Sequence, residues 1–318
     1  MRKAITYSLL FGCIMLLILC ITQHMVDKGL TASKSQYFTV WNDAYQSRIN
    51  ADLLILGGSR ARIVISPKVL DSVLHVNSYN LGIDGGFIPI QLAMLKVYLQ
   101  HNRKPKYILQ NVDFSTFSNG IHLSNSEQFI PYISDPIVRE MTSHYQEKFT
   151  IPELYFPLFK YNNHLNLIKE GLLCYFHTGY RSSNNMYKGF SPRLLAFDNF
   201  FAMRIQKESD YLRNNIQPEV DSQFVDYLKF CKSNDIKLIF VYVPLLHDAT
   251  ALTSTDSSAV TRKLLAYAKE YNIPFLSYVN DTLRDHKELF TDHIHLNVTG
   301  AQIFNEHLAY DLRTIVAN

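Results

Sequence analysis

The run Leu53-Leu54-Ile55-Leu56, followed by Gly57-Gly58-Ser59, constrains this chain more than any other stretch. Four consecutive large apolar residues suit a strand buried on both faces, which belongs to a parallel sheet with helices on either side. The glycines permit a sharp turn out of the strand, and Ser59 then stands at its carboxyl end. Ligands bind at that edge of open α/β sheets, so Ser59 is a candidate nucleophile. Taken alone, Gly-Gly-Ser reads more readily as a tight strand-to-helix turn.

From Asp52 onward, strand-like runs alternate with amphipathic helical ones, the signature of a helix-covered parallel sheet. Ser66-Pro67 predicts a helix start, with a strand over 75–79 and a glycine-rich turn over 80–86. A buried helix follows over 89–101, and a strand over 107–109 brings Gln110-Asn111-Val112-Asp113 to the edge that carries Ser59. Later come a helix over 219–231, a strand over 236–243, a helix over 257–271 capped by the serines before it, and a strand over 273–278. A polar loop at 290–297 leads into a helix over 298–312. Five strands with helices between them predict a three-layer α/β/α sandwich with a five-stranded parallel sheet in the order 2-1-3-4-5. Residues 114–216 break the rhythm: they are aromatic, rich in Asn and punctuated by proline. That length is implausible as a bare loop, and it reads as a mainly helical insertion over the sheet edge, a lid or acceptor-binding wall.

Residues 4–22 carry no charge and follow Arg2-Lys3. About nineteen residues at 1.5 Å each nearly cross the roughly 30 Å hydrocarbon layer, and the basic flank should stay cytoplasmic. A cleaved signal peptide competes with this reading, but Gln23-His24-Met25 offers no small-x-small site. A lipid-modified Cys20 meets the same objection from the large Leu19 before it. The expected organisation is a cytoplasmic tip and single-pass transmembrane anchor over 1–24, a juxtamembrane connector over 25–50 and the α/β domain over 51–318. That topology places the domain outside the cytoplasmic membrane of a bacterial cell. A hydrophobic fraction of 47% excludes a largely disordered chain, and a net charge of +3 with scattered basic residues argues against nucleic acid. Cys174 and Cys231 lack metal-like spacing; they could pair in an oxidising compartment, though burial as small apolar residues is the simpler reading.

A serine hydroxyl near neutral pH needs a base, and the base needs a group that fixes its tautomer. Asp292-x-x-His295 can supply both from one short loop; alone, it would be a turn cap beside an ordinary histidine. Leu56-Gly57-Gly58-Ser59-Arg60, Asn80-Leu81-Gly82 and Asp292-His293-Ile294-His295 together resemble the first, second and last motif blocks of the SGNH (GDSL-like) hydrolase and acyltransferase superfamily. The resemblance covers about 52–113 and 219–312. It implies Ser59 as nucleophile, His295 as general base and Asp292 as its orienting carboxylate, with an oxyanion hole from the Ser59 and Gly82 N–H groups and the Asn111 side chain. Two departures stand out: Gly57-Gly58-Ser59 replaces Gly-Asp-Ser, and Gln110-Asn111-Val112-Asp113 stands where Gly-x-Asn-Asp is usual, which leaves Asp113 as rival to Asn111.

Arg60 and Arg62 are candidate contacts for an anionic acceptor, with internal salt bridges as the alternative. His247 and His293 are further substrate-contact candidates near the edge, and a zinc site from His247, His293 and His295 lacks a compact ligand motif. No metal or organic cofactor is implied. The resemblance and the anchor together imply a membrane-bound envelope enzyme. It would move an acyl group, acetyl above all, from an acyl donor to an envelope polysaccharide, beside a membrane-bound acyltransferase partner. Carbohydrate ester hydrolysis by the same residues is the second reading, and an inactive glycan-binding or scaffold relative the third.

Overall fold

A computed structural model describes residues 1–118, 120, 122–146, 148–177, 186–199, 216–249 and 257–316. In chain order its helices and strands are α1 (Arg2–Leu30), α2 (Thr39–Tyr45), β1 (Leu53–Leu56), α3 (Ser59–Val64), α4 (Pro67–Leu74), β2 (Ser78–Asn80), α5 (Ile88–His101) and β3 (Tyr107–Asn111). They continue with α6 (Pro136–Ser143), α7 (Ile151–Tyr155), α8 (Leu165–Tyr175), α9 (Pro218–Ser233), β4 (Lys237–Tyr242), α10 (Ser257–Glu270), β5 (Phe275–Ser277) and α11 (Val298–Val316). The serines expected to cap α10 lie partly outside the described residues, as do 178–185 and 200–215 of the insertion. The chain divides into two compact units, one of 1–42 with 125–184, the other of 43–124 with 185–318.

The larger unit holds one parallel sheet in the order β2-β1-β3-β4-β5. β1 is buried along its whole length, as its unbroken apolar run requires. One face of the sheet sends Leu53, Ile55, Leu109, Ile239 and Val241 into a core with Phe304, Leu308 and Leu312 of α11, and α11 packs on α3 and α4. On the other face α9 packs against α5, and Phe224 stacks with Phe240 of β4 and Tyr267 of α10. The α/β/α layering and strand order therefore match the sequence expectation.

Two boundaries differ. The second strand begins at Ser78 rather than His75, because α4 runs on to Leu74 and His75 ends it in a left-handed conformation, φ +55°. β3 extends through Asn111, so Gln110 and Asn111 are strand residues.

In the smaller unit α1 continues to Leu30, and its last turns are buried rather than forming a polar connector: Val26 and Leu30 join Phe38, Ile130, Tyr161 and Leu167 in a core. α8 crosses α1 at a glycine pair. A Cβ on Gly171 would lie 2.6 Å from the Val26 carbonyl oxygen, and one on Gly29 would overlap the Gly171 carbonyl. Trp41 donates to Gln128 Oε1 at 3.1 Å and packs edge-on against Phe129. Cys174 and Cys231 are free thiols, and Cys231 is buried, so they do not pair.

Candidate active site

Ser59 opens α3 immediately after the turn out of β1, with Gly58 as the N-cap residue. Gly57 is required by proximity: a Cβ there would stand 2.6 Å from Ala61 Cβ and 2.8 Å from Asn111 Cβ. Two buried asparagines fix the short helix. Asn80 Nδ2 donates to the Ala61 and Ile65 carbonyls at 2.8 and 2.7 Å. Asn305 of α11 donates to Val64 O and accepts from Ser66 N. Six residues are too few to hold helical form alone, so these amides and the packing of Ala61, Ile63 and Val64 position Ser59.

Asp292 and His295 lie between Phe290 and Leu296, which pair as an antiparallel bridge. Asp292 Oδ1 accepts from the Ile294 and His295 N–H groups, each at 2.9 Å, so the carboxylate organises the turn that presents the histidine. His295 Nδ1 then donates to Asp292 Oδ2 at 2.7 Å. With its proton held at Nδ1, the neutral ring exposes Nε2 as an acceptor, and Nε2 lies 2.8 Å from Ser59 Oγ. The series hydroxyl, imidazole, carboxylate is thus closed within hydrogen-bond reach, and Asp292 and His295 are both buried. Burial pushes the Asp292 carboxyl up. The hydrogen bond and charge of His295, the Ile294 N–H and the charge of Arg193 together outweigh it, leaving the group below its ordinary value.

Arg193 is a neighbour of Asp292 that the sequence did not single out. Its Nη1 lies 3.3 Å from Asp292 Oδ2, and its carbonyl accepts from Val298 N. Asp198 N donates to Thr291 O, and Ser191 N to Arg62 O, so the strap 191–198 ties α3 to the loop of Asp292. Nothing in the sequence sets Arg193 apart from the other arginines of the 114–216 insertion.

Several expected contacts take other roles. Arg60 is not a substrate contact: it is almost wholly buried, where it donates to the Val243 and Pro244 carbonyls, lies 3.3 Å from Asp113 Oδ2 and stacks over Tyr242. Arg62 is buried and pairs with Asp84. Both therefore follow the internal salt-bridge alternative. His247 is exposed, with Nδ1 3.4 Å from Asp285. The His293 ring packs edgewise on Phe197 at 5.2 Å, over which Lys287 Nζ sits at 4.3 Å. Burial draws the His293 imidazole below its usual value against the pull of Asp292 and Asp248, and Lys287 adds to the lowering.

The expected oxyanion donors also need correction. The Gly82 N–H donates to Asn80 Oδ1 at 2.8 Å, and Asn111 Nδ2 donates to Val241 O at 3.2 Å, because Asn111 belongs to β3 rather than to the loop after it. Asp113 accepts from Ser115 besides facing Arg60. Ser59 N–H remains, at the helix start where N–H groups have no intrahelical acceptor. Among the described residues no group of three His, Cys, Asp or Glu side chains is arranged to hold a metal. A cleft of about 370 Å³ at the amino end of β4, lined by Tyr107, Lys232 and Asp235 among others, contains none of these residues.

Fold and site together define a class: an α/β/α domain with serine, histidine and aspartate in hydrogen-bond series at the carboxyl edge of a parallel sheet. No family model and no curated protein matches the chain. Among solved structures, a candidate acylhydrolase from Bacteroides fragilis is similar over 83% of this chain and 87% of its own, with 12% identity and a TM-score of 0.39. A GDSL-like lipase from Bacteroides thetaiotaomicron is similar over 83% and 88%, with 11% identity and a TM-score of 0.37. Likenesses at this level carry no chemistry to this chain.

Proposed function

We propose that the protein is an SGNH-type serine enzyme acting on acyl esters, with Ser59 as nucleophile, His295 as general base and Asp292 as the orienting carboxylate. The observation that carries this reading is the pair of contacts at His295, 2.8 Å from Nε2 to Ser59 Oγ and 2.7 Å from Nδ1 to Asp292. Ser59 Oγ attacks the acyl carbon as its proton passes to Nε2, and Asp292 stabilises the imidazolium. His295 returns the proton to the departing alcohol oxygen, leaving an acyl-Ser59 ester. An incoming hydroxyl, losing its proton to Nε2, attacks that ester; the C–Oγ bond breaks as Nε2 returns the proton to Ser59 Oγ, and the acyl group leaves on the incoming oxygen.

The finer reading is transfer of an acetyl or similar group to a hydroxyl of an envelope polysaccharide by a membrane-anchored enzyme, supplied by a membrane-bound acyltransferase partner. Its support is the long apolar α1, a candidate membrane span, and the family resemblance in the motif blocks. Hydrolysis of a carbohydrate ester is the second reading, favoured by the partial solvent exposure of Ser59, which admits water. An inactive binding relative finds its support in the engaged Gly82 and Asn111 donors.

A serine-reactive fluorophosphonate tests the common core: the wild type labels and Ser59→Ala does not. Absence of labelling in the wild type, or equal labelling of both proteins, leaves only the inactive relative. Incubation with an acyl donor and candidate glycans then divides the two reactions. Acylated glycan is the expected product; free acid alone, whatever acceptor is offered, sinks the transfer reading.

A further inference from the structure

The smaller unit exposes large apolar side chains over 151–165. Tyr155 is 74% and Phe156 62% exposed, and Ile151, Phe159 and Leu165 also face outward. Soluble proteins seldom leave such residues clustered in water without a partner. What sets this cluster apart is its attachment to α1. Leu158 N donates to Gln23 Oε1 at 2.6 Å, and Phe159 N donates to Phe156 O, so Phe156 and Phe159 flank the residue bound to Gln23. Leu158 adopts a left-handed conformation, φ +64°, uncommon for a bulky residue, and packs toward the core of Val26 and Tyr161. One turn further along α1, Asp27 holds Lys160 at 2.9 Å and the Tyr161 hydroxyl.

Gln23 is also where α1 changes character. The apolar window before it has no buried residue, whereas Val26, Gly29 and Leu30 are packed. Charge-free residues 4–22 rise roughly 28 Å along a helix axis, close to the roughly 30 Å hydrocarbon thickness, so Gln23 falls at the boundary where aromatic side chains concentrate.

We propose that residues 151–165 form a lipid-contact collar, with Tyr155, Phe156 and Phe159 seated in the headgroup and upper acyl layer of the bilayer that α1 crosses. The occupant of the apolar cluster is lipid rather than a protein partner. The inference rests on α1 spanning a bilayer and is independent of the chemistry at Ser59.

The test uses the full chain in vesicles of phosphatidylcholine brominated at shallow or deep acyl positions, reading tryptophan quenching. Native Trp41 is buried and gives the background, measured on the wild type. Four single substitutions are compared: Tyr155→Trp and Phe156→Trp in the cluster, Ile14→Trp inside α1, and Ala32→Trp, exposed and beyond the end of α1. The two cluster variants exchange one exposed aromatic for another, so folding is preserved. Expected are stronger quenching of Trp at 155 and 156 by shallow than by deep bromine, deep quenching at 14, and none at 32. Deep quenching at 14 with 155 and 156 behaving like 32 overturns the collar and leaves the span standing. Absence of quenching at 14 overturns both.

Discussion

Asp292 meets three demands with one carboxylate: it closes the turn through two backbone N–H groups, holds His295 Nδ1, and faces Arg193. Its folded pKa lies below the ordinary value. The stability it contributes is therefore fully present above the unfolded pKa, about 3.9, and is lost as pH falls through the lower folded value. Urea unfolding from pH 6 down to 3 should show that decline, and Asp292→Asn should flatten it. The same variant should cut turnover on the order of 10⁴-fold, since an amide no longer enforces the tautomer that frees Nε2. Arg193 has a smaller share. Its side chain is 36% exposed, so solvent screens the pair, and about 1 kcal/mol is a fair ceiling. Arg193→Met should lower kcat roughly fivefold with KM unchanged, and Arg193→Lys should recover part of the loss. A KM effect without a kcat effect would place Arg193 in binding instead.

Elements differ in how far their residues announce them. β1 and β4 are legible because a strand buried on both faces needs an unbroken apolar run, and few other structures tolerate one. Ser59 and the Asp292-x-x-His295 loop are legible only in combination: each pattern alone reads as a turn, and it is their joint placement with Asn80-Leu81-Gly82 that marks the site. Where the outcome depends on distant partners, the sequence is mute. Nothing near Asn111 says that Val241 will take its amide, and nothing in the Asn-rich insertion marks Arg193 as the neighbour of Asp292. His75 shows a third case, since the strand expected over 75–79 yields to a helix that runs one residue longer and stops in a left-handed turn. The α1–α8 crossing likewise hides in two unremarkable glycines. Gly171→Ala sets a methyl 2.6 Å from the Val26 carbonyl oxygen, backbone that cannot swing aside, and should destabilise the smaller unit by about 1–3 kcal/mol. Limited proteolysis of the full chain should show faster cleavage within 125–177 while fluorophosphonate labelling of Ser59 persists. Unchanged proteolysis would mean that the helices have room to separate.

At the scale of the molecule, both units are assembled from separated stretches of chain, the smaller from 1–42 with 125–184 and the larger from 43–124 with 185–318. Ser33 and Glu170, whose side chains bond within the smaller unit, stand 137 positions apart, and Ser59 and His295 stand 236 apart. Long sequence separations delay contact formation, and synthesis delivers them in order, at roughly 5–20 residues per second. α1 must therefore persist in its surroundings for several seconds before α8 exists to cover its last turns. Ser59 emerges early and has no histidine partner until the loop of His295 has left the ribosome. If Ser59 acts as proposed, chains released short of that loop would carry the serine without its base, so the order of the residues alone would keep ester attack from starting during translation.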